Sequence, residues 1–281
     1  MSDGKNLFTF NRKLNRTKSQ RLNKIKFLSK RQKFILSVVV LSLGLFITEH
    51  FFGKSAIYIV FGISILTDLL LYLSIRKDLE DNFNPQVFIL PFFFSLAFGL
   101  FYLLIPARLI TRFAMTVIYA IGLYSLFLSE NIFTVSSIRT IALLSSARTV
   151  AFVLTLLSYF FLANVIFTFH INVFVTLLLI FLVTFPLVMN SIWIYTLEKD
   201  IRKDILWTFS LALCLFEVAI LLWFWPSSPT VIALFLTGIF YSIVGLTQAW
   251  FEKRLFKSVI IEYVWVAFVV FVVLALFTTW G

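Results

Sequence analysis

The sequence predicts an all-α membrane protein, a polytopic bundle of about nine transmembrane helices with its N-terminus in the cytoplasm. Three observations carry that prediction. Hydrophobic residues make up 61% of the 281 positions and charged residues 13%, with a mean hydropathy of +1.00, more hydrocarbon than a soluble fold of this length can bury. The apolar residues gather into nine runs, each close to the ~20 residues that cross a hydrocarbon core ~30 Å thick. The runs are continuous rather than alternating, so helices, not barrel strands, must satisfy the backbone.

Residues 1–33 stand apart as a basic tail. Eleven of the 24 Lys and Arg lie between Lys5 and Lys33, with Asp3 as the nearby acid. Such a run is attracted to anionic lipid at ~1 kcal/mol per basic residue near the surface. It is too long, and lacks the small-residue cleavage site, to be the charged start of a removed signal peptide. A disordered or membrane-surface tail in the cytoplasm is therefore expected, with no nucleic-acid partner.

Residues 34–281 form the expected transmembrane domain, with spans near 34–52, 55–75, 86–105, 108–128, 149–169, 171–196, 205–225, 230–249 and 258–279. Charge sets the orientation, because cytoplasmic loops carry the Lys and Arg excess. Nine crossings from a cytoplasmic N-terminus place 21 basic residues inside, against Lys54, Arg108 and Arg112 outside. The protein is thus expected in the cell (cytoplasmic) membrane with its C-terminus outside. Trp207 and Trp250 then fall at inner span ends and Trp223, Trp225 and Trp280 at outer ends, where amphipathic rings prefer headgroups.

The stretch Ser129–Arg148, "SENIFTVSSIRTIALLSSAR", is long enough to be a tenth crossing. Making it one would split the charges 13 inside to 10 outside and put Arg139 in the bilayer, at a cost of roughly 2.5–3.5 kcal/mol at a helix centre. It is read instead as cytoplasmic. A short interfacial helix is expected, with Glu130 near its start, Asn131 capping, Arg139 turned toward protein or headgroup phosphate, and Arg148 snorkelling into the inner headgroups at the entry to the fifth span. The alternative is that the segment is only the polar inner ends of the fourth and fifth spans.

Ionisable residues inside spans are expensive and therefore candidates for function. They are Asp68, Glu217 and Glu262. Glu217 shares a helical stripe with Trp207, Ser210 and Cys214, a polar face expected to turn inward. It is either a proton or cation ligand or a protonated carboxyl bonded to a neighbouring helix. Asp68 has Ser64 and Tyr72 one turn to either side, and Glu262 lies near Lys257, an expected interfacial ion pair. At the outer ends, Arg108 and Arg112 sit one turn apart and can clamp a phosphate or snorkel to headgroups. Glu49, His50 and His170 are the outer acid–base candidates.

No HxxxH or HExxH spacing supports a metal, and no GxxxxGK[ST], GxSxG or CxxC is present. Cys214 is the single cysteine. No cofactor is expected. Gly238, Ser242 and Gly245 make a small-residue face for close helix packing.

At "LYSLFLSENIFTVSSIRTIALLSSAR", "LTLLSYFFL", "SIWIYTLE", "FEVAILLWFWP" and "VIIEYVWV", the chain resembles a family of bacterial polytopic membrane proteins of unknown function. That resemblance implies membrane residence and several spans, and brings no catalytic residue with it. Three functional readings follow from the residues. The first is a scaffold or interaction protein that contacts the lipid bilayer and a membrane-protein partner, without catalysis. The second is an enzyme on a lipid-linked, phosphate-bearing substrate, using Arg108, Arg112 and Glu49 or His50. The third is a proton-coupled transporter using Asp68 and Glu217.

Overall fold

The computed structural model describes residues 29–51, 56–79, 84–105, 109–136, 143–197 and 201–278; for 49–51, 77–78 and 201–203 it describes the backbone alone. Among the described residues nine helices are long and apolar enough to cross a membrane. They are α1 (Lys30–Phe51), α2 (Ala56–Leu79), α3 (Ile89–Leu104), α4 (Leu109–Ser136), α5 (Leu144–Thr168), α6 (Val173–Thr196), α7 (Ile201–Trp223), α8 (Pro229–Phe251) and α9 (Lys257–Leu276). A 3-10 turn, Pro85–Phe88, leads into α3. Each expected span coincides with one of these helices.

Several boundaries move by four residues or more, among them the end of α2 at Leu79 and the start of α5 at Leu144. The first helix starts at Lys30, inside the region read as tail, because Ser29 and Gln32 form a reciprocal capping box. The Ser29 amide donates to Gln32 Oε1 at 2.9 Å and the Gln32 amide to Ser29 Oγ at 3.4 Å. Residues 1–28 lie outside the described residues. The largest change is in the fourth span, expected to stop at 128, which runs on without a break to Ser136.

Short connections fold each helix back on the one before it. Odd-numbered helices run away from the end where α1 starts, here the near end, and even-numbered helices return to it. The most enclosed helices are α3 and α5. The former packs against α1, α2, α4, α5 and α6, and the latter against α3, α4, α6 and α8. The helix pair α1–α2 covers one flank together with α4, α7 packs on α6 and α8, and α9 packs on α8.

Phenylalanine fills the centre. Phe101 stacks on Phe161 at 4.1 Å, Phe98 meets the edge of Phe161 at 5.0 Å, and Phe94 stacks on Tyr119 at 5.8 Å. In lipid the hydrophobic effect does not drive helix against helix, so such dispersion contacts and close backbone approach must hold the bundle. Gly238 and Gly245 provide the second where α9 meets α8. A Cβ at Gly238 would stand 2.7 Å from Val270 Cγ1, and one at Gly245 would overlap the Tyr263 ring.

Candidate functional site

Glu130 is the largest departure from the sequence reading. It does not start an interfacial helix: it lies six residues before the end of α4, fully buried, with both carboxyl oxygens lacking a protein hydrogen-bond partner. The helix continues because Ile132, Phe133 and Val135 keep supplying apolar surface, and Phe133 is itself fully buried. The described helical parts of the Ser129–Arg148 stretch, 129–136 and 144–148, are the ends of two helices, in line with the alternative reading, and 137–142 lie outside the described residues. Arg139 lies outside the described residues.

Arg148 is committed to protein. Its Nε donates to the Ile194 carbonyl and its Nη2 to the Tyr195 carbonyl, both at 3.2 Å, while Nη1 stands 3.4 Å from Glu252 Oε1. The guanidinium also lies over the Tyr195 ring at 4.7 Å. Where snorkelling to headgroups was expected, the side chain caps the last turn of α6 and reaches the end of α8. Such forked donation to exposed carbonyls suits arginine's planar geometry.

Glu217 also turns the other way from expectation. The core-facing stripe of α7 is Asp204, Thr208, Ala212, Leu215, Ala219 and Leu222. Glu217 is exposed on the opposite side, as are Trp207, Ser210 and Cys214. The polar stripe thus faces out of the bundle. Asp204, which the sequence reading does not single out, is buried and accepts a hydrogen bond from Thr196 Oγ1 at 3.0 Å, which joins α6 to α7.

Asp68 is half-buried on α2, and its Oδ1 has no protein hydrogen-bond partner. Its stripe neighbours do not bond it: Ser64 donates to the Val60 carbonyl at 2.9 Å, and Tyr72 packs on Phe88. Asp68 and Glu130 are within electrostatic range of each other. Glu262 and Lys257 are both exposed on α9 and form no ion pair with each other.

The far-end candidates are less assembled. Arg112 is half-buried, and its carbonyl accepts from Tyr102 Oη and Thr116 Oγ1. Arg108 and the side chains of Glu49 and His50 lie outside the described residues. His170 is exposed in the turn between α5 and α6, with φ of 46° and its Nδ1 2.8 Å from the Thr168 carbonyl. Among the described residues no group of three or more His, Cys, Asp or Glu could hold a metal.

The buried polar residues that the sequence reading does not single out include Gln86, Asn190 and Ser191. The signal for two of them was present. The pair Asn190–Ser191 interrupts the apolar run "FPLVMNSIWIY", and an amide inside a span is costly unless it bonds something.

These observations define the class of protein: a multi-pass integral membrane protein, an all-helical bundle that buries polar chemistry toward its near end. The sequence profile of the family described as "Protein of unknown function (DUF5656)" matches residues 36–277, and the chain belongs to that family. No significant match to a curated protein or to a solved structure was found.

Proposed function

We propose that this chain is a non-catalytic membrane interaction protein, and that the outward face of α7 receives a transmembrane helix of a partner. The exposure of Glu217 supports the reading. Its carboxyl lies six residues, about 9 Å, short of the far end of α7, points away from the bundle and meets no protein partner among the described residues. Acidic side chains at such depth cost up to ~2.5–3.5 kcal/mol when they face lipid. A neighbouring helix that offers a hydrogen-bond donor removes that cost and gains a polar contact.

The surroundings suit a helix. Trp207, Ser210 and Cys214 continue the stripe toward the near end. There Trp207, Leu246, Thr247, Trp250, Leu255 and Ile260 line a groove of about 370 Å³ between α7 and α9. In this reading the near end is cytoplasmic, as the distribution of Lys and Arg supports, and the basic tail adds an anionic-lipid contact on the same side.

A photo-crosslinking side chain at Leu213 or Leu221, both exposed and flanking Glu217, tests the proposal in native membranes. The expected result is one crosslinked species of defined mass that is lost in Glu217→Leu. A monomer without crosslinks, which turns over a lipid-linked substrate or carries a solute flux, would overturn it.

A further inference from the structure

The near half of the bundle buries more polar groups than its hydrogen bonds use. Glu130 on α4 and Asn190 on α6 are fully buried, and all four of their side-chain polar atoms lack protein partners. The same holds for Gln86 Nε2, Ser191 Oγ and the indole nitrogen of Trp193. Elsewhere the bundle pairs its amides: Asn164 Nδ2 donates to Thr230 Oγ1 at 3.0 Å.

Register brings these groups together. Helices α4 and α6 run in the same direction, and Phe133 and Trp193, each three residues from its helix end, meet edge to face at 6.4 Å. Glu130 and Asn190 lie one turn earlier on those two stripes. The 3-10 turn that carries buried Gln86 packs against both α4 and α6. The α8 side closes with Gln248, whose Nε2 reaches the Ser191 carbonyl at 3.5 Å.

The chemistry of the set selects its ligand. Gln86, Asn190 and Trp193 offer N–H donors, whereas Glu130 and the Asn190 carbonyl offer acceptors. A bare metal cation would use the acceptors and leave the amide donors unpaired. Water both donates and accepts, and a carboxyl among waters exchanges protons.

We propose that Glu130 is the proton-binding residue of a hydrated polar layer formed with Gln86, Asn190, Ser191 and Trp193. The proton enters and leaves from the near-end aqueous phase, and Asp68 is a second carboxyl deeper in the bundle. Asp68 stands 11 residues from the near end of α2, against six for Glu130 on α4. The other charged groups described at the near end of the elements around the layer are Lys30, Arg31 and Lys33 at the start of α1, Arg76 on α2, Arg148 on α5, Asp204 at the start of α7, which accepts from Thr196 on α6, and Glu252, Lys253 and Arg254 beyond α8. Arg76 and Lys30 are exposed, and Arg148 and Glu252 bond each other. This inference is independent of the α7 partner reading.

Infrared difference spectra of the full-length chain in lipid vesicles, between mildly acidic and mildly alkaline buffer, provide the test. The expected result is a protonated-carboxyl band that disappears at alkaline pH, shifts in heavy water and is missing from Glu130→Gln. Asn190→Leu should move the same band by altering its hydrogen bonding. Size-exclusion elution matching the parent protein confirms that each variant is folded. A spectrum unchanged by pH, or by Glu130→Gln in a folded variant, overturns the proposal. So does loss of the band on adding sodium at fixed pH, which would make the layer a cation site.

Discussion

Arg148 and Glu252 stand 3.4 Å apart at the near end of the bundle although 104 residues separate them in the chain. Their side chains are 18% and 30% exposed, so this contact is neither a surface pair nor a fully buried one. The arginine gains more from its other two bonds, to the carbonyls of Ile194 and Tyr195 at the end of α6. Arg148→Ala leaves both carbonyls without these donors and should destabilise the protein by about 1–3 kcal/mol. Arg148→Lys keeps the charge but loses the fork, and should recover less than half of that. Glu252→Gln removes a half-screened charge and should cost ~0–1 kcal/mol. Thermal unfolding in mild detergent should rank the three in that order, with Arg148→Ala lowest.

The nine helices were legible because bilayer thickness imposes a length that a run of apolar side chains displays directly. Glu130 and Arg148 were not. Both sit where polar residues resume, and a sequence does not say whether such residues mark the edge of the membrane or a helix end wrapped in protein. Glu217 shows the same limit in reverse. Its stripe was visible, but α7 carries polar residues on both faces, Asp204 and Thr208 inward and Ser210 and Glu217 outward, so polarity alone could not tell which side faces its neighbours. The Gly238, Ser242 and Gly245 face was read correctly, since small residues at one-turn spacing have one use in a span, the close approach of another helix.

Helix α9 depends on that face. Ser242 Oγ reaches the carbonyls of Gly238 and Tyr263, at 2.9 and 3.1 Å, and the two glycines leave room for Val270 and Tyr263. A leucine at position 245 would displace the Tyr263 ring, and one at 238 would push Val270 away. Gly245→Leu and Gly238→Leu should therefore each separate the two helices, at about 1–3 kcal/mol for overpacking. Helix α9 should remain in the membrane, because its own hydropathy suffices for a span. A short bifunctional thiol reagent bridging cysteines at Trp225 and Thr278, whose side chains bond at 2.7 Å, should crosslink efficiently in the parent background. It should crosslink poorly in either leucine variant.

A hydroxyl chain in the middle of the bundle yields the last prediction. Thr67 Oγ1, Ser95 Oγ and Tyr119 Oη follow one another at 2.9 Å steps across α2, α3 and α4, all buried. The proton order is fixed at one end, because Thr67 donates to the Ile63 carbonyl at 2.9 Å. Having spent its one proton there, Thr67 must accept from Ser95, and Ser95 must accept from Tyr119. Tyr119→Phe then removes only the first donor and leaves Ser95 with an empty acceptor site, a loss of ~0.6 kcal/mol by the average for hydrogen bonds inside membranes. Ser95→Ala breaks two bonds and strands the Tyr119 proton in a dry interior, which should cost about 1–3 kcal/mol. Combining the two changes removes the stranded donor, so the double variant should be more stable than Ser95→Ala alone. Unfolding of the four proteins in one detergent measures that coupling. Additive losses would mean that the three hydroxyls do not act as a directed chain.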